Sequence, residues 1–402
     1  MSSVERSRTE RVLAEGRGIV RLEPCWVART LAPAGHRLGL PESAYGLGER
    51  GEICERWLAS TTRATNLIGP ADEGLSYIST DDGSRLTLRG AVELEPEAIM
   101  GRSYAATHRG LGRLAKILDY GTRLPYHVHL RARHAALVGR NPKDEAYYFP
   151  EGFESGPHPE TFFGIHPSIA QDRGRQALLQ DLIDWDSDRI LRYSRAYVQV
   201  PTEGFHAPAG VLHAPGTAVT IELQEDSDVF AMLQGVTEGR RISKELMFHD
   251  VRPEDRARFG ERFVLELIDW ETNADPEFYE HRHLSPLPTA SSETVGQESW
   301  IFYNTTKFAG KRLVVGPSSS YRSTDPGVYS LLVLSGSGFI GGHRVEGGVP
   351  ELDELLVADA AATSGVEIVN DDPTRELVIL KFFGPDIVSG VPMLPALADA
   401  DA

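Results

Sequence analysis

The sequence predicts a mostly β protein of two barrel- or sandwich-like halves flanking a helical insert. Short apolar runs of strand length recur along most of the chain, broken by Gly, Pro and Asp turns. Turn formers are abundant, with 39 Gly and 25 Pro in 402 residues. One long segment, 168–195, instead carries helical spacing, with Leu178, Leu179, Leu182 and Ile183 as its apolar stripe and Ser168 as its N-cap.

Taken in order, residues 1–16 read as a short charged helix. Residues 17–100 mix short alternating runs with turns such as "APAG" and "GLGERGE". Residues 97–121 suit either a helix or extended segments, and "RARHAAL" (131–137) a short helix. After the insert, "AYVQVP", "GFHAPAG", "AVTIELQ" and "SDVFAMLQG" read as strands, and "RPEDRARFGERF" (252–263) as at least partly helical. From about residue 263 the chain reads as strands again, beginning with "FVLELIDW". "SGSGF" is a turn between strands and not a phosphate loop, because no helical pattern follows it. The division is placed at residue 250, giving an N-terminal metal-binding half, 1–250, and a metal-free C-terminal half, 251–402.

Composition limits the partners. A net charge of −17 repels nucleic acid and anionic lipid. Cys25 and Cys54 lack CxxC spacing and form no disulfide framework, which suits a reducing compartment. The N-terminus has no apolar signal-peptide core, and no run approaches the roughly 18 apolar residues of a membrane span. A cytoplasmic protein with a small-molecule substrate is expected. Nothing in the sequence sets its oligomeric state.

The chemistry gathers in "LPYHVHLRARHAALVGRNPKDEAYYFP", 124–150. On a strand, residues two apart point to one face, so His127 and His129 project together. Glu145 precedes an aromatic strand, and His213 follows the turn "APAG". Three His and one carboxylate, converging inside a barrel, make a site for zinc or another divalent first-row metal with a position left open. His134, His158, His166, His206 and His249 have no partner at ligand spacing and read as ordinary histidines.

These motifs resemble the class I mannose-6-phosphate isomerases, in their bacterial style. "GLGERGEICERWLAST" (46–61) is similar to that family's Gly-Glu-x-x-Gly-Glu-x-Trp-x-x-Ser segment. "LAKILDYGTRLPYHVHLRARHA" resembles its Lys-x-Leu-Asp stretch and metal motif, and "NPKDEAYYFP" its Lys-x-Glu strand. "GIHPSIAQ", "VPTEGFHAPAGVLHAP", "IELQEDSDVF" and "GRRISKELMFHDV" follow in the family's order, over roughly 40–250. The resemblance implies two cupin-type jelly-roll barrels with a helical insertion and a zinc ion held by His127, His129, Glu145 and His213. It also implies aldose–ketose isomerisation of the mannose 6-phosphate/fructose 6-phosphate type.

Three departures qualify the substrate. His127 stands where the family has Gln, a change that preserves metal binding. Met232 falls where the family has an Arg facing the sugar; Arg240 and Arg241, in the next segment, are the candidates to replace it. "STTRATN" (60–66) replaces the family's Ser-Ala-His-Pro, keeping Ser60. Lys143 and Arg63 are the candidate phosphate donors, and a neutral sugar is an open alternative.

For catalysis, Lys143, Glu222 and Arg241 are carried forward. Proton transfer through an enediol needs an acid–base group, and Glu222 and Lys143 are the candidates. Lys143 is expected to have its ammonium form disfavoured beside a metal. Lys143 as a simple sugar or phosphate anchor, and Glu222 as a partner orienting a ligand His, are the alternatives. At the level of function, the alternatives are a sugar-binding or regulatory cupin without catalysis and an iron-dependent cupin oxygenase.

Overall fold

The computed structural model describes residues 3–80, 83–290 and 295–395. Four large antiparallel sheets form two barrels. In the first, a seven-stranded sheet runs in the order His283–Leu284, Gly204–Ala207, Glu145–Tyr148, Thr220–Glu225, Arg113–Leu118, Glu52–Leu58, Cys25–Arg29. It faces a five-stranded sheet ordered Arg195–Val198, Glu160–Phe163, Leu212–Ala214, His127–Val128, Ala231–Met232. The second barrel pairs another seven-stranded sheet, centred on Tyr329–Ser335, Leu377–Phe383 and Ala309–Val315, with a four-stranded one.

Alternation assigns each face of the first seven-stranded sheet. Glu145, Tyr147, Glu222, Lys116, Glu55 and Trp57 point into the first barrel. Ala146, Tyr148, Ile221 and Leu223 point out of it and share one apolar core with Phe302, Leu380 and Phe382 of the second. This sheet is therefore largely apolar, Arg56 apart, on the side that joins the barrels and charged on the side that faces the interior.

Helices cover the outer face of the five-stranded sheet. Tyr126, Val128, Leu130 and Leu212 pack there against Leu178, Leu182, Val264 and Leu267. The insert is helical only over Asp172–Asp184, between 3₁₀ turns at Pro167–Ile169 and Arg189–Tyr193. Ser168 is not its N-cap. It lies in the preceding turn, where its backbone N–H donates to His166, and Gln171 takes the cap position. Leu178 and Leu182 form the buried stripe, while Ile183 faces solvent. "FVLELIDW", expected as strand, belongs to helix Glu261–Leu267 and the turn after it. Val264, Leu267 and Ile268, spaced three and four apart, all become buried, so the helical period wins over β propensity.

The division at residue 250 is crossed in both directions, and His283–Leu284 also belongs to the first barrel's sheet. Ile19–Arg21 pairs with Glu354–Val357, so an N-terminal strand completes the second barrel's sheet. The helices at 253–267 cover the first barrel. Between the barrels, the buried guanidinium of Arg56 bonds Asp353 at 2.5 Å and Glu354 at 3.0 Å.

The two barrels repeat one strand motif, "ERWL" (55–58) and "ESWI" (298–301). Trp57 pairs with Lys116, and Trp300 with Lys311, in the same register. Each lysine Nζ lies over its indole, at 4.8 and 5.2 Å. One strand further on, Glu222 faces Lys116 but Lys381 faces Lys311. Beyond that, Tyr329 and Leu331 hold the register positions that Glu145 and Tyr147 hold in the first barrel. The second interior instead balances itself, with Lys311 and Lys381 bridging Glu298 and Asp325 at 2.7–3.1 Å.

Candidate metal centre

Sheet pairing alone brings two of the histidines together. His127 and His213 are direct partners on adjacent strands, with ring centroids 4.1 Å apart. His129, two residues on, lies 5.0 Å from each of those rings. All three are buried, and their ligand nitrogens lie within 4.8 Å of one another. None of the other described histidines belongs to this group.

The tautomers follow from the hydrogen bonds. Nδ1 of His127 contacts the Pro125 carbonyl at 2.7 Å, that of His129 the Val229 carbonyl at 2.7 Å, and that of His213 the Val211 carbonyl at 2.9 Å. A carbonyl only accepts, so each Nδ1 carries the proton and each Nε2 presents a lone pair to the barrel interior. Burial, with the neighbouring rings, holds His127 well below the usual imidazole range. Burial and the charge of Lys143 bring His129 down to about 4. These imidazoles are therefore neutral at pH 7, the form a metal needs.

Glu145 reaches the group from the opposite sheet. Its oxygens lie 3.0 Å from Nε2 of His129 and 3.0 Å from Nε2 of His213. Both of those Nε2 atoms are buried without a hydrogen-bond partner, and Oε2 of Glu145 accepts no well-aligned hydrogen bond, its near neighbour being Lys143 Nζ at 2.9 Å. Lone pairs thus face a carboxylate at close range in a dry interior, an arrangement a divalent cation relieves. The donor set fits a first-row metal. Tyr147 donates its hydroxyl to the other Glu145 oxygen and orients it.

A ladder of alternating charge runs from this group along the barrel interior. Lys143 Nζ lies 2.9 Å from Glu145 and 3.6 Å from Glu222. Lys116 lies 3.4 Å from Glu222, 3.7 Å from Asp228 and 3.9 Å from Glu55. Arg29 closes the ladder against Glu55 at 2.9 Å and Asp228 at 3.0 Å. Burial opposes charge throughout. It is outweighed at Glu55, brought down to about 2 by Arg29 and Lys116, and at Asp228, held well below the carboxylate range by the same cations. It wins at Glu222, where desolvation and the charge of Glu145 push the carboxyl up.

Lys143 meets two carboxylates as well as burial. Burial lowers its basicity, but Glu145 and Glu222 more than offset this and favour the ammonium form. Arg241 is a correction. It sits exposed on the small hairpin Val236–Thr237/Arg240–Arg241 and does not line the cleft. Gly239, at φ +77°, turns this hairpin, whose paired segments are only two residues long. Arg63 is likewise exposed and outside the cleft. Met232, the cross-strand partner of His127, lines the cleft with an apolar side chain.

Arg29, Glu55, Lys116 and Asp228 were not singled out from the sequence as site residues. A signal for two of them exists: Glu55 and Lys116 are charges at inward positions of largely buried strands. Charges are fully buried only when paired.

No family model and no curated protein sequence matches the chain. Solved structures do. The mannose 6-phosphate isomerase from Bacillus subtilis superposes with a TM-score of 0.62 at 15% identity, covering 91% of this chain and 99% of its own. A mutant phosphomannose isomerase from Salmonella typhimurium gives 0.60 at 13%, covering 92% and 100%. A zinc-bound mannose 6-phosphate isomerase gives 0.62 at 13%, covering 92% and 100%. The chain thus has the mannose-6-phosphate isomerase fold, with two cupin-type barrels and a helical insertion. No helix among the described residues is long and apolar enough to cross a membrane.

Proposed function

We propose that the chain is a divalent-metal aldose–ketose isomerase akin to the class I mannose-6-phosphate isomerases, acting in the cytoplasm on a small carbohydrate. One observation carries the reading: three imidazoles and Glu145 converge, with two Nε2 atoms unpartnered, beside a carboxyl of raised pKa and a buried lysine. His127, His129, His213 and Glu145 would hold the metal, and zinc is favoured by this donor set. Bound there, the cation supplies Lewis-acid polarisation of the sugar carbonyl.

The remaining work falls to the chain. Isomerisation takes a proton from C2 of the aldose and returns it at C1, while a hydroxyl proton moves from O2 to O1. Glu222 is the base for the carbon-bound proton. Its raised pKa makes it a stronger base than an ordinary carboxylate, and Lys116 and Lys143 fix its position. Lys143 acts as a hydrogen-bond donor to the oxygen that gains charge, since it is held protonated. Leu118, Leu124, Phe230 and Met232 wall the cleft and limit water around the reacting carbons.

The test is proton NMR in D₂O on zinc-loaded protein, offered mannose, fructose and their 6-phosphates. Loss of the C2 proton with growth of the partner sugar is the expected result. Sugar binding without exchange would favour a non-catalytic sugar-binding cupin, a reading supported by Met232 in place of an arginine. Oxygen uptake by iron-loaded protein would favour an oxygenase, which the three-His, one-Glu donor set also accommodates.

A further inference from the structure

We infer that the site is built for an uncharged polyhydroxy substrate and discriminates against its phosphate ester. The inference rests on the isomerase reading for the identity of the site, and it adds the chemical class of what enters.

The cations of the cleft are all committed. Arg29, Lys116 and Lys143 line it, and each is buried against carboxylates at 2.9–3.9 Å. These three positive side chains face four negative ones, Glu55, Glu222, Asp228 and Glu145. Past Leu31 and Phe230 the cleft adjoins a second hollow. Its further basic groups are also paired, Arg50 with Glu73 at 2.8 Å and His249 with Asp250 at 2.8 Å. Leu67 and Ile68 stand exposed on that hollow's wall. Among the described residues, no Arg or Lys lining either hollow lacks a carboxylate partner.

A phosphate ester carries close to two negative charges and three acceptor oxygens. To bind here it must draw a cation away from a buried carboxylate, which leaves that carboxylate unpaired in a dry site. The atoms that do lack hydrogen bonds have the opposite demand. Oε1 of Glu222, ion-paired with Lys116 at 3.4 Å and Lys143 at 3.6 Å, is buried and still accepts no hydrogen bond. A sugar hydroxyl satisfies it by donating; a phosphate oxygen repels it. The non-reacting end of the ligand would lie against Leu31, Leu124 and Phe230, surfaces that suit the C–H faces of a sugar and not a dianion.

The experiment is calorimetric binding of sorbitol and of sorbitol 6-phosphate to the zinc-loaded protein. Neither ligand has a carbonyl to isomerise, so the result is independent of turnover. Sorbitol is expected to bind at least about ten-fold more tightly than its phosphate. In Leu31→Arg, which adds an uncommitted cation where the two hollows meet, the preference is expected to reverse. Tighter binding of the phosphate by the unaltered protein overturns the inference, as does binding of neither at about 10 mM. Selective sorbitol binding together with no C2 exchange in D₂O would leave this inference standing and remove the isomerase reading. Faster turnover of sugar phosphates than of sugars would do the reverse.

Discussion

Oε2 of Glu145 lies 3.0 Å from Nε2 of His129, yet the two residues sit on opposite sheets of the barrel and the two atoms make no hydrogen bond. The Nδ1 proton of His129 is already given to Val229, so Nε2 has only a lone pair to offer. The site is preorganised around a positive centre, and metal dependence is the expected consequence.

His129→Ala and His213→Ala should each lose bound metal, and any isomerase activity with it. Metal content measured by plasma mass spectrometry after dialysis, set against the unaltered protein, checks this. Full occupancy in either variant would remove that residue from the ligand set.

Glu222→Gln separates chemistry from metal binding. The amide keeps the shape but has no base. Metal content should stay unchanged while kcat falls by about 10²–10⁴, the usual contribution of a positioned acid–base group. A kcat within a few-fold of the unaltered enzyme would instead assign Glu222 to orienting Lys116 and Lys143.

Arg29→Met tests the far end of the charge ladder. Arg29 neutralises Glu55 and Asp228, and Tyr120 and Trp57 also donate to Glu55. Removing the guanidinium leaves two buried carboxylates short of a counter-charge. A loss of about 3–5 kcal/mol is expected in urea unfolding. A loss under about 1 kcal/mol would show that the ladder contributes little to the fold.

Glu354 gives the junction between the barrels a pH dependence. Burial lifts its carboxyl from 4.5 to about 7, against the pull of Arg56, which it shares with Asp353. The folded state therefore holds a proton that the unfolded chain releases. The stability from this group is fully present below about pH 4.5 and is lost as pH rises through 7. The full effect is at most about 3 kcal/mol. Glu354→Gln should flatten the decline in unfolding free energy between about pH 5 and 7.5. An identical slope in both proteins would show that Glu354 ionises normally.

Much of the fold was legible because short strands and their turns are local signals. The strand-to-helix error over residues 263–267 came from a segment rich in β-formers. Its spacing of Val264, Leu267 and Ile268 suited a helix, and packing against the insert decided it. The internal repeat was harder to see, because Glu55-x-Trp57 and Glu298-x-Trp300 share only two identical residues. Their equivalence becomes visible only when each tryptophan is found opposite a lysine.

The sequence by itself determined that His127 and His129 share a face, because strand alternation has a fixed period of two. It also determined that the chain is a turn-rich β protein, because Gly, Pro and Asp punctuate short apolar runs. Tertiary structure alone decided what those side chains meet. Sheet register set His213 against His127, and the facing sheet delivered Glu145. Lys143 was buried between two carboxylates, whose charges favour its ammonium form. Arg241 was left on an exposed hairpin while Arg29, from the first strand of the barrel, reached the interior. Charge state and partnership depend on distances between residues far apart in the chain, and those distances exist only once the sheets have closed.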